Sequence, residues 1–355
     1  MASSPALIKA LLDPLSLPRL KPADQALVLR QAQQAGLLGF LQARIDDAGV
    51  AGKLADRLLA ARVHATYHDH MIAWEMNRLA RALADLPGPV ILLKGAAYKA
   101  LQLDLAAGRL ASDVDLLVPR AQLSQAERLL LDGGWEPMKA DQYEQHYYRE
   151  WMHELPPLRH RERGTVVDLH HTILPPTARL QPVPEKLIAA AQPMADGPFH
   201  TFCPEDTLLH RATHLFYDGD LQNSLRELID IHELLTLYMG DPDFLPRLVQ
   251  RGRELDLARP LYYALWTSGQ MLNTAVPEQI QKELADDAPA LPVRWLMQRL
   301  LVRQLTPPDP DRPDRLQTIA GGLLFLRSHW LRMPPLMLAR HLLTQVRRRG
   351  GIKTG

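Results

Sequence analysis

The sequence predicts an α/β (α+β) chain in which a small sheet-bearing block lies between two helical segments. Three observations predict it. Residues 51–86 carry apolar side chains at helical spacing until Pro87-Gly88-Pro89 breaks the pattern. Between 88 and 174, short β-branched apolar runs alternate with helix-length stretches. After Pro175-Pro176 the spacing of three and four returns. The chain of 355 residues therefore divides into a helical N-terminal segment (1–87), a core (88–175) and a helical C-terminal domain (176–355).

Each element has its own signal. Pro22-Ala23-Asp24 reads as a helix start with an acid in the first turn. Leu54, Leu58, Leu59, Val63, Ile72, Met76, Leu79 and Leu83 recur at helical spacing and predict one long helix. Val90-Ile91-Leu92-Leu93 is a buried strand, and a helix follows Gly95 from Ala96 to about Leu105. Asp113 to Val118 is the second strand. Ala121 to Leu131 is a helix stopped by Asp132-Gly133-Gly134. Tyr143 to Leu158, rich in Tyr143, Tyr147, Tyr148 and Trp151, is expected to form one or two half-buried strands; the same rings could stack a base. Thr165 to His170 is a further strand. Helices are expected over Glu205–Tyr217, Leu221–Met239, Phe244–Leu255 and Arg259–Leu272, and a Pro-rich loop at Thr306–Pro310 precedes a last helical stretch.

Bulk composition narrows the class. Hydrophobic residues make up 46% of the chain, enough for an ordinary core, and the net charge of +1 gives no strong nucleic-acid signal. The single Cys203 excludes an internal disulfide and fits a reducing, cytoplasmic setting. Pro5, Pro14 and Pro18 interrupt the first twenty residues, so they do not read as a signal peptide. No run reaches the roughly 18 apolar residues of a membrane span. The Leu-, Met- and Arg-rich stretch Arg332–Arg349 could touch an anionic membrane surface as a basic amphipathic end, or be an ordinary solvated helix.

Chemistry concentrates in two places. In the strand Asp113-Val114-Asp115-Leu116-Leu117-Val118, alternation puts Val114, Leu116 and Val118 on one face and both acids on the other. Their Cα atoms lie about 6.5–7 Å apart, a span from which both carboxylates reach a shared pair of magnesium ions about 3.5–4 Å across, the two-metal arrangement that phosphoryl and nucleotidyl transfer use. Asp168 is the natural third ligand from a neighbouring strand. Lys94-Gly95 ends a strand and opens a helix, where backbone N–H groups and a lysine charge suit a phosphate. Arg109 can reach a triphosphate or a substrate carboxylate, and Ser112 can supply a hydroxyl. Each also has a bland counterpart: a polar strand face, a turn, a solvated arginine, strand-entry chemistry.

The order Lys-Gly, helix, Arg109, Asp113-x-Asp115-Leu-Leu-Val, then Val167-Asp168-Leu169-His170 resembles the uncharacterised nucleotidyltransferase family of the DNA polymerase β-like nucleotidyltransferase superfamily. The resemblance spans about residues 50–240 and is most specific over 91–118 and 165–171. It implies a small mixed-sheet nucleotidyltransferase core. It also implies that Asp113, Asp115 and Asp168 are catalytic and hold magnesium, with Gly95 on the substrate-side turn. The implied reaction moves a nucleoside monophosphate from a nucleoside triphosphate to an acceptor hydroxyl, of a small molecule or a protein, and releases pyrophosphate. Ala96 replaces the Ser or Gly that usually follows the turn glycine, which removes a hydroxyl contact to phosphate.

Two other functions compete. The chain could be a non-catalytic relative that binds a nucleotide or a protein. Alternatively, His210 and His214, at i and i+4 with Asp218, Asp220 and His232 nearby, could hold a transition metal for phosphate hydrolysis. Arg226 and Asp230, also at i and i+4, read as a helix-surface ion pair or as part of an acceptor pocket. His170 shares the face of Asp168, where it can orient a ligand or simply hydrogen-bond in the core.

Overall fold

The computed structural model describes residues 5–45, 50–111, 113–138, 142–195, 197–217, 221, 224–312 and 314–334, with the side chains of 142–144 excepted. Ser112, Asp218, Asp220 and the chain after 334 lie outside the described residues.

Helices Ala6–Leu12, Pro22–Gln34, Leu38–Gln42 and Gly52–Ala82 build the N-terminal part. The last is 31 residues long and buries Leu54, Leu58, Ile72 and Leu79, whereas Leu59 and Val63, named with them from the spacing, lie on the outer face at 50% and 62% exposure. A short backbone contact then ties this part to the core. Gly108 has φ +69°, and a Cβ placed there would stand 2.0 Å from the Gly39 carbonyl oxygen. Glycine at both positions lets the two backbones meet immediately before Arg109.

The core is a mixed sheet with seven strands among the described residues. Its strands are β1 (Val90–Leu92), β2 (Asp113–Leu117), β3 (Trp135–Pro137), β4 (Leu158–His160), β5 (Val166–His170), β6 (Gln192–Pro193) and β7 (Phe199–Thr201). The spatial order is β3-β4-β5-β2-β1-β7-β6, with β2–β5 and β1–β7 parallel and the other pairs antiparallel. Val114, Leu116, Val118, Val167 and Leu169 are each 0% exposed, so the apolar faces of β2 and β5 are sealed. Each such side chain contributes about 1.5–3 kcal/mol of burial free energy.

Several expectations need correction. Residues 142–151 form a helix, Gln142–Trp151, instead of strands. Its aromatic residues meet at helical spacing, Tyr147 and Trp151 edge to face at 5.7 Å, and Arg149 ties it to Glu127 on helix Leu123–Asp132. Aromatic content alone therefore misled, because the i, i+4 pairing decides. The helix after β1 is short, Lys94–Ala100, with a 3₁₀ turn at Asp104–Ala106 in place of its expected end. The chain past Pro176 is not wholly helical, because β6 and β7 return to the sheet edge.

Helices Pro204–Tyr217, Leu225–Tyr238, Phe244–Glu254, Ala258–Leu272, Leu291–Leu305 and Arg315–Arg332 follow. Pro204–Tyr217 packs against Leu225–Tyr238, Phe244–Glu254, Ala258–Leu272 and Arg315–Arg332. One continuous cluster of buried apolar residues runs from Leu7 to Leu324. Among the described residues no helix is long and apolar enough to cross a membrane.

Candidate active site

The register of β2 on β5 sets the site. Asp115 lies opposite Asp168, and Asp113 lies opposite Val166. Directly opposed residues on neighbouring strands share a face, about 4.8 Å apart along the hydrogen-bonding direction. Asp113, Asp115, Asp168 and His170 thus stand on the same side of the sheet, opposite the sealed apolar face. The structure brings the three predicted acids together. Asp115 is buried and the other two are half-buried.

Two nitrogen groups already lean on Asp115. Lys94 Nζ donates to Asp115 Oδ1 at 2.8 Å, and His170 Nε2 lies 3.1 Å from the same oxygen. Lys94 reaches it from a left-handed backbone, φ +46°, immediately after β1. A non-glycine residue there costs about 1 kcal/mol, a strain concentrated at the turn that faces the acids. Burial alone would raise the Asp115 carboxyl, but the Lys94 charge and the His170 hydrogen bond outweigh it and hold the group well below the usual carboxylate range.

Asp168 is treated oppositely. Burial first, and then the charges of Asp115 and Glu154, push its carboxyl up to about 7. Its Oδ1 is buried and has no hydrogen-bond partner among the described residues. A buried carboxylate oxygen left without a donor costs about 1–3 kcal/mol or more. Three clustered carboxyls, one with an orphaned oxygen and one neutralised by an ammonium, form the oxygen-rich donor set that a hard divalent cation takes. The residues present therefore fit magnesium.

A segment missed in the sequence completes this face. Glu154 pairs with His170 in an antiparallel bridge, and its Oε2 lies 3.4 Å from His170 Nε2. His153 stacks on His170 with ring centroids 5.3 Å apart. Burial works to lower His170, but the hydrogen bond to Asp115 and the charge of Glu154 raise it overall. Glu154 and His153 belong to a stretch that reads as aromatic strand, so nothing in their spacing pointed at β5.

Behind the acids lies a buried arginine network. Asp230, 0% exposed, takes Arg109 Nη1 at 2.8 and 2.7 Å, Arg211 Nη2 at 2.8 Å and Arg226 Nε at 3.2 Å. Burial opposes its charge, but Arg109, Arg211 and Arg226 hold it at about 2. The Arg226–Asp230 pair is thus a core feature, not a helix-surface ion pair. Arg109 is committed to Asp230, and Gly95 makes room for it: a Cβ at Gly95 would sit 2.9 Å from Arg109 Nε. The structural role visible for this Lys-Gly turn is to seat Arg109 and to aim Lys94 at Asp115.

The two helical histidines have other partners. His214 Nδ1 lies 2.8 Å from Glu227 Oε2, and the His210 ring meets Phe202 edge-on at 5.7 Å. Burial, then Lys94 and His214, keep His210 neutral, with a pKa well below the ordinary histidine value. His232 Nδ1 contacts Thr274 Oγ1 at 2.8 Å.

Comparison with curated proteins finds no match, and comparison with solved structures finds none. A protein-family model does match, and its span includes every acid, histidine and arginine described above. The chain belongs to the uncharacterised nucleotidyltransferase family, whose model matches residues 21–273.

Proposed function

We propose that the chain moves a nucleoside monophosphate from a nucleoside triphosphate to the hydroxyl of a small-molecule or protein acceptor, with release of pyrophosphate. One observation carries this reading. Asp115 and Asp168 oppose each other in register with Asp113 beside them, and Asp168 keeps a buried oxygen without a donor among the described residues. Such a cluster suits a cation and a polyanionic substrate.

Asp113, Asp115 and Asp168 would hold magnesium. Bound there, the ion would supply Lewis-acid stabilisation of the triphosphate and would lower the acceptor hydroxyl's pKa. The chain's own groups do the rest. Asp168, whose carboxyl burial and the charges of Asp115 and Glu154 push up, could in addition take the acceptor proton through the carboxylate oxygen not turned to the ion. Lys94, on its strained turn, supplies a mobile positive charge that can pass from Asp115 to a phosphate oxygen. His170 orients Asp115 from the neighbouring strand.

Incubation with nucleoside triphosphates labelled at the α-phosphate, in the presence of cell extract as an acceptor source, tests the reading. Wild-type protein should label an acceptor, and Asp113→Asn and Asp115→Asn should not, although both stay folded by circular dichroism. Undiminished labelling by either variant would sink the proposal.

A further inference from the structure

We infer that His153, Glu154 and His170 form a nitrogen-bearing cation site, next to but chemically distinct from the three-aspartate cluster, that takes a first-row transition metal such as cobalt or zinc. Their ligand atoms all lie within 4.8 Å of one another. Glu154 Oε2 is 3.4 Å from His170 Nε2 and 3.8 Å from His153 Nε2. With metal–nitrogen and metal–oxygen bonds of about 2.0–2.2 Å, donors of one ion lie about 3–4 Å apart, so these separations need only small side-chain adjustments.

The backbone fixes the cluster. Glu154 is bridged to His170, Leu155 N–H donates to the Leu169 carbonyl at 2.9 Å, and His171 N–H donates to the His153 carbonyl at 2.9 Å. Residues 153–155 therefore run as a tied antiparallel partner along the end of β5, held there by one bridge and two backbone hydrogen bonds. His153 is 8% exposed and His170 2%, so the imidazoles are largely withdrawn from water, while Glu154 keeps the cluster reachable at 18% side-chain exposure. Asp115 Oδ1, 3.1 Å from His170 Nε2 and held by Lys94, marks the border between this site and the aspartates.

Donor chemistry separates the two sites. Magnesium prefers oxygen and keeps its water, whereas imidazole nitrogen favours zinc, cobalt and related ions. The two-histidine, one-carboxylate set therefore binds a transition ion under excess magnesium. Binding at this site requires no turnover, so it stands or falls apart from nucleotidyl transfer.

The test uses full-length protein stripped by a chelator and titrated with cobalt(II) under excess magnesium, with uptake followed by metal analysis and visible absorption. The wild type should take up one equivalent, and its cobalt form should show hyperfine-shifted, exchangeable N–H proton signals from two imidazoles. His153→Ala should weaken uptake by at least about tenfold, and Asp113→Asn should retain it. Absence of cobalt uptake by the wild type overturns the site. So does a cobalt form without imidazole signals, a reading that holds even if His153→Ala fails to fold. Uptake lost in Asp113→Asn but kept in His153→Ala would place the ion among the aspartates and also overturn it.

Discussion

Asp115 and Asp168 face each other across parallel strands β2 and β5, yet their surroundings drive their proton affinities in opposite directions. Lys94 and His170 hold Asp115 ionised. Asp168 faces burial and the like charges of Asp115 and Glu154 with an oxygen that no donor among the described residues reaches. Two carboxyls with divergent proton affinities in one site are the pattern that assigns one to fixed charge and the other to proton transfer.

Asp168→Asn should therefore separate stability from activity. It removes a like charge from a crowded, buried position and supplies an amide that can donate to its neighbours. In chelator-treated buffer at pH 8 the variant should be at least as stable as the wild type, by about 1 kcal/mol, while nucleotide transfer falls by 100-fold or more (about 2.7 kcal/mol). Urea melts and labelling assays on the same preparations check this. A variant both less stable and fully active would contradict it.

Lys94→Met removes the ammonium that competes for Asp115 Oδ1. Divalent-cation affinity should rise several-fold, because the carboxylate no longer has a resident positive charge. Transfer should fall, because the charge available to the phosphates is gone. Calorimetric titration with magnesium, followed by turnover measurements, separates the two effects. A parallel loss of both would show that Lys94 supports the cation site instead of competing with it.

Gly95→Ala should damage the buried arginine network. Its new methyl would meet Arg109 Nε at 2.9 Å, and Arg109 cannot swing away without leaving Asp230. Overpacking of this kind costs about 1–3 kcal/mol. Chemical denaturation should show that loss, and Arg109→Ala should make the additional effect of Gly95→Ala small. Full additivity of the two changes would rule out the contact as the cause.

The Asp230 network also fixes a pH signature. The folded-state carboxyl lies at about 2, below its ordinary 3.8. The stability it confers is therefore fully present above about pH 4 and is lost as the pH falls through 4 towards 2. Asp230→Asn leaves three arginines around a neutral amide and should cost about 3–5 kcal/mol near neutral pH. The gap between wild type and variant should narrow as the pH drops from 4 to 2. A gap constant over that interval would mean that Asp230 contributes nothing through its charge.

The centre of the fold was legible and its edges were not. β1, β2 and β5 are apolar runs with both faces constrained, so Val90–Leu92, Val114–Val118 and Val166–Leu169 announce themselves as strands. β3, β4, β6 and β7 are two or three residues long, too short for alternation to register, and exist because the sheet edge receives them. The convergence of Asp113, Asp115 and Asp168 could be read from side-chain alternation and the Val-Asp-Leu-His run. Arg109 was legible as a functional type but not in its place, because its partner Asp230 lies 121 residues away. Glu154 and His153 were invisible for the same reason: only the return of the chain along β5 brings them to His170. The helix over 142–151 was misread because aromatic residues favour strands by propensity, while contacts such as Tyr147 on Trp151 and Arg149 on Glu127 decide for a helix.

The most direct measurement compares one nucleoside triphosphate labelled at either the α- or the γ-phosphate, offered with magnesium and an extract-derived acceptor to wild-type protein and to Asp115→Asn. Nucleotidyl transfer requires that the α-label enter the acceptor, that the γ-label leave as pyrophosphate, and that the variant transfer neither. Acceptor labelled from the γ-phosphate, or equal α-labelling by the variant, would contradict a nucleotidyl-transfer site built on Asp113, Asp115 and Asp168.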